Sequence, residues 1–218
     1  MAKVVRKSYH LVIPFVLLLA TWQTATGHQL DEYLQATLID ISPDEVRLYV
    51  NLTPGVEIAD HVIDHIDSNA DGKISGDEAN SYATAFPKVL NATLDGKKLA
   101  LQVEEFQVPE MAELETGWGV IQIELSASLP ILASGEHHLQ FSNHHEQHLS
   151  SYLLNAAMPR SDAIRIIRQE RNHNQSDGRI IFSYEAPQSG NAAYAFSLGM
   201  VAMFVVLGLA ITRLKRKV

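Results

Sequence analysis

No cysteine occurs in the 218 residues of this chain. Disulfides and any thiolate chemistry are therefore excluded, although an oxidising compartment is not. Catalytic signatures are missing too. The sequence holds neither a G-x-S-x-G elbow nor a glycine-rich phosphate loop, so it lacks the parts for those two chemistries. Glu104 and Glu105 are adjacent, and strand neighbours face opposite ways, so they make no acid–base pair. The expectation is that the chain is not an enzyme. Basic residues are scarce in its middle. Of the 17 Lys and Arg, three precede residue 28 and four follow residue 212, whereas all 25 Asp and Glu lie between. Residues 28–191 thus set 10 basic against 25 acidic side chains, a formal charge of −15. Such a surface attracts cations and repels nucleic acid and anionic headgroups. No nucleic-acid partner is expected.

The two ends suggest a destination. Residues 1–27 read as a signal peptide, with Lys3, Arg6 and Lys7, an apolar run over 11–20, and the small residues Ala25, Thr26 and Gly27 before a cleavage that leaves His28 first. Residues 192–212 carry no charge and are long enough to cross a bilayer. The basic tail 213–218, with Arg213, Lys215, Arg216 and Lys217, is a positive-inside flank. The expected layout is an exported domain over 28–185, a linker over 186–191, a C-terminal transmembrane helix over 192–212, and a cytoplasmic tail. That places the domain outside the inner membrane, in the periplasm; the alternative is a C-terminal sorting signal that is removed. About 160 residues suffice for one core, hence one domain.

The richest stretch is 67–78. Asp67, Asn69 and Asp71 are spaced by two, Gly72 follows at the sixth position, Ile74 is apolar at the eighth, Ser75 is ninth, and Glu78 is twelfth. Hard cations such as Ca²⁺ take six to eight oxygens, and this spacing supplies them: side chains of Asp67, Asn69, Asp71 and Glu78, the carbonyl of Lys73, and a water-mediated contact from Ser75. Glycine suits the sharp turn. Flanking apolar residues recur at helical spacing (Val56, Ala59, Val62, Ile63, Ile66, then Ala79, Tyr82, Ala83, Phe86), with Thr53-Pro54 as the expected helix start, Ser75 and Glu78 as a capping box, and Pro87 as the stop. The stretch 54–86 resembles an EF-hand helix–loop–helix. Three carboxylates and no visible partner hand predict affinity near the weak end of the calcium range, roughly 10⁻⁴–10⁻³ M.

Around this insertion the chain reads as β. Leu34, Ala36 and Leu38 alternate with polar residues, as do Val46 to Leu52 and Ile121 to Leu129. Ser42-Pro43-Asp44 and Asp95-Gly96 are turns, the latter joining 90–94 to 97–103 in a hairpin. Leu139 and Phe141 mark another strand, and two more are expected over 163–171 and 179–185. Glu110, Glu113 and Glu115 read as a solvated loop, and Trp118 as an anchor at a strand start. The fold class is mainly β (α+β): about eight antiparallel strands in a sandwich-like domain, the helical pair inserted between the second and third; a mixed α+β domain with a single sheet is the alternative. The segments His28–Gln35, Leu52–Gly55 running into the loop, Asn143-His144 and Ser151–Ala156 resemble the extracytoplasmic domain of HupE/UreJ-type membrane proteins. That resemblance implies a place near metal handling, beside a membrane metal permease or another envelope protein as partner. A single terminal span in place of a multi-helix permease departs from it, so no transport is implied.

Histidine is the second chemical signal. His137, His138, His144, His145 and His148 fall within twelve residues, and His28 would add an amine and an imidazole together. Imidazole suits Ni²⁺, Cu²⁺ and Zn²⁺. Neighbours His137 and His138 face opposite sides of a strand, so the five cannot all converge. The competing reading is an exposed, uncoordinated strand end and loop. His61-Val62-Ile63-Asp64-His65 resembles a zinc-peptidase order, but Asp is shorter than the usual Glu, and a solvated face of the first EF helix is the plainer expectation. Two functions follow as expectations: calcium binding by one EF-hand in a structural or partner-docking module, or transition-metal binding by the histidine-rich segment.

Overall fold

A computed structural model describes residues 31–186. The expected signal peptide, His28, the linker beyond Ala186, the apolar segment 192–212 and the basic tail lie outside them. Among the described residues, no helix is long and apolar enough to cross a membrane.

Among the described residues, ten strands form two five-stranded sheets. The first sheet has the order β5 (Gln102–Gln107), β6 (Ile121–Ser128), β2 (Glu45–Pro54), β1 (Tyr33–Ile41), β8 (Ser150–Ala156). The second runs β4 (Lys97–Lys98), β3 (Leu90–Leu94), β7 (Gly135–Asn143), β10 (Asp177–Tyr184), β9 (Ile164–Arg171). Both bury one face in a shared apolar core: Val46, Leu48, Val50, Leu52, Ile121, Ile123 and Leu125 from the first, and Leu90, Leu94, Leu139, Phe141, Ile180 and Phe182 from the second. The mainly β, two-sheet architecture expected from the alternations is present, with more strands than the eight anticipated. It is not purely antiparallel, since β1 and β8 pair in parallel.

The phase of β1 reverses the expectation. Leu34 and Leu38 are exposed, whereas Tyr33, Gln35, Thr37 and Ile39 point inward. Register explains it. Gln35, Thr37, Ile39 and Ile41 stand opposite Leu52, Val50, Leu48 and Val46, and directly opposed residues share a face. The larger apolar set of β2 dictates the face of its neighbour and carries two polar side chains of β1 inside.

At Asp95-Gly96 both residues have positive φ (49° and 80°), the primed turn that suits a tight hairpin. The strand expected over 97–103 is divided, however: Lys97–Lys98 stays with β3, and Gln102–Gln107 crosses to the other sheet. Thr53-Pro54 is the end of β2, not a helix cap. Pro54 stands opposite Tyr33, and the Gly55 N–H donates to the Glu32 carbonyl at 2.9 Å, so strand pairing outlasts the capping signal. A 3₁₀ turn (Val56–Ile58) then leads into α1 (Ala59–Ile66). α2 (Gly76–Ala85) follows, with Pro87 in the 3₁₀ turn beyond it. The acidic segment expected as loop forms a short α3 (Met111–Glu115), seated by buried Leu114. Trp118 is 84% exposed, so it is not the buried strand-start anchor expected.

Candidate functional site

The loop 67–78 joins α1 to α2. Ala59, Val62, Ile63 and Ile66 bury one stripe of α1, and Ala79 and Ala83 seat α2, so both ends of the loop are held. Half-buried Ile74 packs on the core from the loop itself. The acceptors then wind the backbone. Asp67 is 8% exposed; its carboxylate accepts from the N–H groups of Asp71 at 3.2 Å and Gly72 at 2.9 Å. Asn69 Oδ1 accepts from the Asp71 N–H at 2.8 Å, and Asp71 Oδ1 from the Lys73 N–H at 3.0 Å. Gly72 has φ +79° with open space where a Cβ would stand, so backbone conformation is what calls for glycine there.

Glu78 closes the loop. Its Oε2 accepts from the Ser75 N–H at 2.9 Å and the Ser75 hydroxyl at 2.7 Å, and its Oε1 from the Ser68 hydroxyl at 3.2 Å and the Asn69 N–H at 3.3 Å. The Glu78 N–H returns a bond to Ser75 Oγ at 3.3 Å, which completes the capping box. The Ser75 N–H foremost, then its hydroxyl, hold the Glu78 carboxyl at a pKa of about 2 against the opposing effect of burial, so the group is ionised at neutral pH. The donor set named from the sequence (Asp67, Asn69, Asp71, the Lys73 carbonyl, Ser75 and Glu78) is oxygen throughout, as a hard divalent cation requires.

The histidines disperse. His137 is buried against Phe182, with Nδ1 2.7 Å from Asp95 Oδ2 and Nε2 2.7 Å from the Ala133 carbonyl. His138 Nε2 lies 3.1 Å from Glu136. His144 is exposed, 3.5 Å from Asp177, and His148 is exposed. His145 turns inward, its ring edge-on to Tyr33, Tyr82 and Phe86, with Nε2 3.1 Å from the Tyr82 hydroxyl. Burial lowers its pKa to about 4, leaving it neutral. No three of these five meet in one centre among the described residues.

A different trio does converge. His61 and His65 of α1 approach Glu146 in the β7–β8 connection, with one donor atom from each within 4.8 Å of the others. The face of α1 expected merely to be solvated thus meets a loop 85 residues away. Only the His-x₃-His spacing hinted at this, and nothing in the sequence signalled Glu146. Asp64, the acid of the peptidase-like order, does not line the small cleft among these groups.

No protein-family model, no curated protein and no solved structure matches the chain. Neither the EF-hand nor the HupE/UreJ resemblance gains or loses from those comparisons.

Proposed function

We propose that this chain is a calcium-binding, membrane-anchored extracytoplasmic module in which one EF-hand orders a helix pair against a β-sandwich. The observation that carries this reading is the loop 67–78: an oxygen-only donor set, already curled by its own hydrogen bonds around Gly72. A preformed loop loses less conformational entropy on binding. Asp67, Asn69, Asp71, Lys73, Ser75 and Glu78 would hold the ion, which supplies positive charge among three carboxylates. Glu78 has two tasks. It caps α2, and its carboxylate reaches back to Ser68 and Asn69, so the side chain that would ligate the ion also sets the position of α2. An open groove of about 590 Å³ lined by Leu34, Val56, Trp118 and Val120 supports the docking half of the reading, with an envelope protein as the partner.

Calorimetric titration of the full chain in detergent with Ca²⁺, beside the Glu78→Gln variant, tests it. The expected result is saturable binding, weakened roughly tenfold or more in the variant, with the far-ultraviolet β signal intact. Equal binding by both proteins, or loss of the β signal in the variant, would overturn the reading.

A further inference from the structure

We propose that His61, His65 and Glu146 form a second metal site, for an imidazole-seeking divalent ion of the zinc type, at the seam between α1 and the β7–β8 loop. The site is separate from the calcium loop in residues and in chemistry. Two imidazoles and one carboxylate suit Zn²⁺ and its neighbours and are poor ligands for Ca²⁺.

The two histidines sit one turn apart on α1, ring centroids 4.4 Å apart. Their helix is fixed by buried Val62, Ile63 and Ile66. His65 Nδ1 lies 2.7 Å from the His61 carbonyl. A carbonyl can only accept, so Nδ1 carries the proton and Nε2 keeps the lone pair. Metal-bound histidines are oriented in the same manner, by a hydrogen bond from the other nitrogen. His61 Nε2 stands 3.4 Å from Glu146 Oε2. In a tetrahedral zinc site with bonds of about 2.0–2.2 Å, neighbouring donors stand about 3.3–3.5 Å apart.

Glu146 is placed by a buried scaffold. It adopts φ +47°, a conformation that costs a non-glycine residue free energy and persists only where the surroundings enforce it. The Leu149 N–H donates to the Glu146 carbonyl at 2.9 Å. The preceding carbonyl, of His145, accepts from Gln35 Nε2, the Tyr152 hydroxyl and the Ser150 hydroxyl at 2.9, 2.8 and 3.2 Å. The His145 N–H donates to Asn143 Oδ1 at 2.9 Å, and Asn143 Nδ2 donates to Gln35 Oε1 at 2.8 Å. Gln35 and Asn143 are at most 1% exposed. An ordinary exposed ion pair between His61 and Glu146 contributes too little to maintain such a scaffold, and it does not require His65. Three protein ligands leave a fourth position for water or an incoming donor, as in open zinc sites.

The test uses the full chain without a histidine tag, in detergent, with Ca²⁺ saturating so that the EF loop is filled. Zn²⁺ is titrated against a competing chelator, and Co²⁺ serves as a visible-absorption probe. One Zn²⁺ per chain is expected. His61→Ala and His65→Ala should each weaken binding on the order of 100-fold, and Glu146→Gln about tenfold or more, with the cobalt band lost in step. His138→Ala, His148→Ala and Glu78→Gln should leave Zn²⁺ affinity unchanged. His61 and His65 are exposed, so metal-free melting temperatures of these variants should match the parent and exclude misfolding. Absence of stoichiometric Zn²⁺ binding overturns the proposal, as does binding that survives both histidine changes or disappears in His138→Ala. Loss of Ca²⁺ binding in Glu78→Gln with Zn²⁺ binding retained would show that the two sites are independent, so either can fail without the other.

Discussion

His137 shows how a single side chain can look like a ligand and serve another purpose. Acceptors stand 2.7 Å from both ring nitrogens, one the Asp95 carboxylate and one the Ala133 carbonyl. Both nitrogens must therefore donate, and the ring is an imidazolium with no lone pair to offer a metal. Burial opposes that charge, but the Asp95 and Ala133 bonds outweigh it, so His137 titrates above its ordinary value; Asp95, also disfavoured by burial, is held below its own by His137 and the His138 N–H. A raised histidine pKa contributes stability that is complete below about pH 6.5 and is lost as pH rises through the folded value. A lowered aspartate pKa contributes stability present above about pH 3.9 and lost as pH falls through its folded value. Melting temperature should accordingly decline as pH rises above about 6.5, and His137→Gln should flatten that decline. An undiminished slope in the variant would assign the effect to other groups.

At the scale of elements, α2 is a weak helix made secure at its start. It spans ten residues, with Gly76 at its first position; Glu78, Ala79 and Ala83 are buried and Tyr82 packs on the core, so one narrow stripe carries its packing. Ser75 compensates, accepting from the Glu78 N–H at 3.3 Å while donating its hydroxyl to Glu78 Oε2 at 2.7 Å. Ser75→Ala should cost about 1 kcal/mol, or about 2–4 °C in a domain of this size, measured by thermal denaturation with chelator present. An unchanged Tm would mean that the Glu78 carboxylate and the backbone alone hold the turn. Ser75 and Glu78 were legible as a helix start because capping is local. Thr53-Pro54 looked similar in sequence, but it is paired along β1 before any helix can begin.

Across the whole molecule, the two sheets are joined by more than apolar contact. Gln35 of β1 bonds Asn143 of β7 and the carbonyl of His145, a polar clasp at one end of the core. Gln35→Leu would leave the Asn143 amide N–H without its acceptor in a buried place, while the His145 carbonyl keeps the Tyr152 and Ser150 hydroxyls. For one stranded buried group the expected loss is about 1–3 kcal/mol, read from chemical denaturation. A neutral result would show that water replaces the glutamine.

What the sequence determined by itself is what depends on near neighbours. The curl of the loop 67–78, its glycine, the capping box, the primed turn at Asp95-Gly96 and the inward set of β2 and β6 all follow from residues a few positions apart, where backbone geometry ties spacing to direction. Tertiary structure decided the remainder. Gln35 is buried because β2 imposes its phase on β1, β1 and β8 run parallel because residues 33–39 and 150–156 meet only in the folded chain, and His61 meets Glu146 across 85 positions. Such contacts are chosen by the combined burial of distant segments, for which a local pattern carries no signal.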